Sequence, residues 1–61
     1  MSQNVTRDLL RFAIRRIAAE TDVLAASYMN PKTKRIEPAS IATEVRENRV
    51  WLAKAKRAAR S

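Results

Sequence analysis

The residues of this chain best placed to do chemistry are its cations. Arg46, Arg49, Lys56 and Arg60, with Ala53 among them, recur at alternating three- and four-residue spacing, so a helix would carry them as one stripe. Lys54 and Arg57 widen that stripe on the outer face, and no acid follows Glu47. Guanidinium groups suit bidentate contact with phosphate, and ammonium groups act as point charges. Lys32, Lys34 and Arg35 form a second cluster in the polar stretch between Pro31 and Pro38. These nine cations are the candidate nucleic-acid contacts. A formal charge of +7 on 61 residues and a pI near 11.2 make a polyanion the natural partner: nucleic acid (DNA or RNA), anionic lipid or an acidic protein face.

Other chemistry is thinly represented. Without Cys or His the usual zinc sets and nucleophile–base pairs are missing. Without Gly there is no phosphate-cradling loop, and no two acids pair for acid–base work. The expectation is a non-enzymatic protein with no cofactor, no metal and no small-molecule substrate. No apolar run approaches the ~18 residues needed to cross a bilayer, and the N-terminus lacks the apolar core of a signal peptide. The lack of Cys fits a reducing compartment, so the expected location is cytoplasmic.

Two helices must position the cations. Ile41, Val45, Asn48, Leu52, Ala55 and Ala59 alternate four and three, which keeps one helical face apolar over nearly the whole C-terminal half. Leu10, Ile14, Ile17, Thr21, Leu24 and Tyr28 repeat the pattern. Paired head to tail in constant register, the stripes match Leu10 with Ala59, Ile14 with Ala55, Ile17 with Leu52, Leu24 with Val45 and Tyr28 with Ile41. Their two polar members, Thr21 and Asn48, fall in the same layer, where each can satisfy the other. The predicted fold is all-α: an antiparallel two-helix hairpin in one domain spanning 1–61. Helix one covers about 5–28, a basic loop 29–38, and helix two about 39–60.

Boundaries follow from local signals. Met1 to Thr6 reads as a lead-in with Asn4 or Thr6 as N-cap and Asp8 in the first turn, where the helix dipole favours an acid. Asn30 suits the left-handed residue that ends helix one, and Pro31 forbids continuation. Ile36 is expected to anchor the loop. Helix two starts with Pro38 at its first position or Ser40 as cap. The segment from Ser40 to Arg57 has a loose helix-turn-helix look, but its turn lacks Gly. The apolar stripe also passes from Arg46 to Arg49 without a phase slip, which disfavours that reading.

Helix one carries a further stripe, Val5, Leu9, Phe12, Arg16, Ala19, Val23 and Ala26, about 140° round from the first. A hairpin needs one apolar stripe per helix, so this row and Trp51 predict an interface with another chain. A two-helix hairpin buries little against an ordering cost of ~1.5 kcal/mol per residue, which also calls for a partner. The expected assembly is a four-helix bundle, completed by homodimerisation or by packing on a larger protein. The helix-one cations Arg7, Arg11 and Arg15 lie on the same rotational side of their seam as the helix-two row. That is expected to place the two rows on opposite broad faces, unless crossing or dimerisation joins them.

The leading functional expectation is a small basic accessory or regulatory protein that binds nucleic acid through its phosphates. The alternative is a protein–protein module, such as a phage or mobile-element inhibitor, adaptor or structural component. It would use Leu9, Phe12, Val23 and Trp51 as its contact surface.

Overall fold

The computed structural model describes residues 3–60, with side-chain exposure from Val5 onward. The element order is α1 (Gln3–Ser27), β1 (Met29–Asn30), β2 (Arg35–Ile36) and α2 (Ala39–Arg60). The two helices pack on each other as a hairpin, drawn out into a rod of 50 × 15 × 15 Å. Both helices are free of internal Pro and Gly and rich in Ala and Arg, which favour helix formation. Helix α2 runs unbroken through Arg46–Arg49, which removes the helix-turn-helix reading.

The core is the seam between the helices. Val45, Leu52, Ala55 and Ala59 are buried on α2, and Leu10, Ile14, Ile17 and Leu24 are half-buried opposite them. At mid-length Thr21 is only 1% exposed, and Asn48 Nδ2 donates to its Oγ1 at 3.1 Å. The polar layer is therefore satisfied internally, and it fixes the register: a slip of one turn would leave both groups unpaired in an apolar layer. At the loop end the seam opens, with Ile41 half-buried and Tyr28 exposed.

The helix ends differ in detail from the sequence expectations. Because α1 already begins at Gln3, Asn4 and Thr6 lie inside the helix instead of capping it, and Asp8 falls beyond the first turn. Met1 and Ser2, the start of the expected lead-in, lie outside the described residues, as does Ser61. At α2 the Pro38 carbonyl accepts from the Ile41 and Ala42 amides at 3.0 and 3.2 Å. Pro38 is thus the cap residue and Ala39 the first helical one, in place of either expected start.

The connection is not a plain loop but a two-stranded antiparallel clip, with Met29 opposite Ile36 and Asn30 opposite Arg35. Asn30 does not take the left-handed conformation; Lys34 does, with φ 64°. Asn30 spends its side chain on the turn instead. Its Oδ1 accepts from the Lys32 and Thr33 amides at 2.8 and 3.3 Å, and its Nδ2 donates to Glu37 Oε1 at 3.0 Å. Its carbonyl accepts the Lys34 amide at 2.8 Å, which sets Lys34 at the residue where the chain turns back. A non-Gly residue there costs about 1–2 kcal/mol, which this set of hydrogen bonds offsets. The Glu37 amide donates to the Tyr28 carbonyl at 3.0 Å and closes the clip on the end of α1.

Candidate nucleic-acid interface

The antiparallel seam leaves a furrow along each broad face of the hairpin. Near the free ends of the helices one furrow becomes a groove of about 810 Å³. Arg11 and Arg15 line it from α1, Lys56 and Arg60 from α2, and Ile14 and Ala59 from the seam between; Asp8 is its one acid. The α1 and α2 cations therefore share a groove, contrary to the expectation of opposite broad faces. The physical reason is the chain reversal. Turning one helix end for end also reverses the sense in which its wheel is read, so equal rotational offsets from two facing seams fall on the same side.

A second depression continues this surface along α2. It is lined by Arg49, Leu52, Ala53, Lys56, Arg57 and Arg60, and shares Lys56 and Arg60 with the groove. The face thus presents Arg49, Lys56, Arg57 and Arg60 from one helix and Arg11 and Arg15 from the other. Among the described residues Arg11, Arg15, Lys56 and Arg60 form no ion pair; the pair of Arg16 Nε with Glu20 Oε2 at 3.3 Å lies elsewhere on α1. Small side chains explain why the groove exists. Ala59 stands where a larger residue would fill the furrow, so the long cationic side chains stand as walls above a low floor.

The other candidate cations line neither the groove nor the second depression. Lys54 precedes Lys56 by two residues, about 160° away round the helix, and so lies off this face. Arg46 lines a third hollow with Ile36, Ala42, Val45, Arg49, Val50 and Ala53, which shares Arg49 and Ala53 with the second depression and so extends the same α2 stripe toward the clip. There half-buried Ile36 folds the clip back on α2. Lys32, Lys34 and Arg35 are exposed on the clip, joined to the start of α2 and roughly 30 Å of helix from Arg60. They do not join the groove. Arg11 and Arg15 are the cations that sequence reasoning left out of the candidate set, although their rotational offset from the seam was available to find them.

The outer stripe of α1 is uncovered in the single chain: Leu9 is 65% exposed, Val23 63% and Phe12 55%. Val5, Arg16, Ala19 and Trp51 are exposed as well. Arg16, the stripe's one charged member, is held by Glu20 on the same helix. Among the described residues, no helix is long and apolar enough to cross a membrane, and no three of His, Cys, Asp and Glu gather where a metal could bind. No family model matches the chain, and neither a curated protein nor a solved structure matches it.

Proposed function

We propose that this chain is a small, non-enzymatic accessory or regulatory protein that binds nucleic acid by holding its phosphate backbone in the cationic groove between α1 and α2. The observation that carries this reading is the convergence of Arg11, Arg15, Lys56 and Arg60 from two helices on one groove. A cationic row on a single helix is a common solvated surface; two rows facing each other across a furrow concentrate positive potential where one backbone can lie. A cytoplasmic setting suits such a partner.

The reading includes self-association. The chain exposes 5018 Å² along a rod 50 Å long, and the stripe from Val5 to Ala26 runs ~32 Å. A quarter of the girth over that length is about 800 Å², the area each partner gives to an interface of standard size. Antiparallel self-pairing sets Leu9 against Val23 and Phe12 against Ala19 of the second copy, giving a four-helix assembly. Arg16 then meets its own copy at the two-fold, and its pairing with Glu20 relieves the repulsion. The exposure of Leu9, Phe12 and Val23 also supports the second reading, in which a different protein covers this face and the charge serves docking or solubility.

Titration of duplex DNA, single strands and structured RNA over a salt series tests the proposal. Contact with ~3–5 phosphates per chain gives a log–log slope of about −3 to −4, with weak sequence preference because phosphate contacts carry no base information. Absence of binding to all three at ~50 mM salt would place the protein-partner reading first.

A further inference from the structure

The angle between the groove and the outer stripe sets what a self-paired chain can do with its two grooves. On α1 the outer stripe lies about 140° from the seam in one rotational sense, while the groove opens about 90° from it in the other. The two directions are therefore about 130° apart. An antiparallel two-fold through the stripe reverses the outward direction and leaves both grooves on the same side of the interface, each tilted about 40° away from the axis. The grooves open outward and diverge by roughly 80°. With helix axes ~8–10 Å apart, their centres are about 20 Å from each other.

A duplex laid along one furrow stays about 20 Å from the other, and a single duplex laid across both would have to bend through roughly 80° between them. Smooth bending by 40–90° costs ~1–6 kcal/mol when spread over 20–30 base pairs, and confining the bend to about 20 Å (some six base pairs) raises the cost several-fold. The same divergence leaves each groove open to its own ligand, with neither copy covering the other's Arg11, Arg15, Lys56 or Arg60. We infer that the self-paired chain bridges two separate duplex segments, one in each groove. This rests on the reading proposed above, both for the phosphate groove and for the partner that covers α1.

A bead assay separates the parts. A short duplex is fixed to beads, protein is added, and capture of a second, labelled duplex is measured beside binding of the first. Wild type captures the second duplex. Phe12→Asp, with Val23→Lys as an independent variant of the same exposed face, keeps first-duplex binding within about threefold per chain and loses capture at least ~tenfold, because the two sites are no longer linked. Neither residue belongs to the seam, and circular dichroism checks that both variants stay helical. Equal capture by wild type and both variants would overturn the bridge. So would a self-associating wild type that binds the first duplex without capturing a second. Loss of first-duplex binding by helical variants would mean that the outer face itself contacts nucleic acid, which also overturns it. Failure of wild type to bind the first duplex would instead remove the nucleic-acid reading, and the bridge with it.

Discussion

Helix α1 presents two apolar stripes of the same period, and they have opposite fates within the chain. The seam stripe meets α2, buries Thr21 almost completely and packs against buried Val45 and Leu52. The outer stripe leaves Leu9, Phe12 and Val23 more than half exposed. Period alone does not separate them. What does is the presence of a second stripe in the same chain whose composition matches in register, down to the one polar residue in each. A stripe with an internal match is core, and one without a match stays exposed on the single chain. The cations follow the same logic, because the matched pair of helices turns two ordinary surface rows into one groove.

Truncation on the two stripes should expose the difference most strongly. Leu52→Ala removes a buried seam side chain and should cost about 2–5 kcal/mol, enough to abolish the cooperative thermal transition of so small a domain. Leu9→Ala, at a position nearly two-thirds exposed, should change the stability of the dissociated chain by less than ~0.5 kcal/mol. Thermal melts by circular dichroism at a concentration below self-association make the comparison. Similar losses at both positions would mean that the outer stripe is already core within one chain.

A smaller effect tests the register. Asn48→Leu removes the donor that reaches Thr21 Oγ1 and leaves that hydroxyl buried without a partner, at a cost of about 1–3 kcal/mol. Adding Thr21→Val should recover most of the loss, since an apolar pair suits the layer. A double-mutant cycle in urea with no coupling between the two positions would place them in different layers.

The hairpin and its register were legible in the sequence because helix packing is written in spacing, and the Thr21–Asn48 layer carried the register explicitly. The connection was less legible. Asn30 is the usual left-handed residue of a Gly-free loop, but its side chain could also bridge the turn to Lys32, Thr33 and Glu37, and that network moved the positive φ to Lys34. Propensity ranks single residues and does not count the hydrogen bonds a closed clip makes together. The sequence signals set the start of α1 two residues late, because Asn4 and Thr6 are good caps that the continuing helix does not use. The groove was half legible. Its α2 wall stands out as an acid-free run, whereas Arg11 and Arg15 join it through the sense of rotation across an antiparallel seam, which the spacing within one helix does not display.

The proposed function puts phosphate between the two helices and not at the basic clip. The most direct test compares the salt dependence of duplex binding for two charge-neutralised variants. One is Arg11→Gln/Arg15→Gln/Lys56→Gln/Arg60→Gln in the groove; the other is Lys32→Gln/Lys34→Gln/Arg35→Gln on the clip. All seven positions lie outside the buried seam, so helicity should be retained in both. The groove variant should lose most of its affinity and flatten the log–log slope by up to ~1 unit per lost phosphate contact, while the clip variant keeps nearly the wild-type slope. A groove variant with the wild-type slope, beside a clip variant that loses it, would move phosphate binding from the groove to the clip.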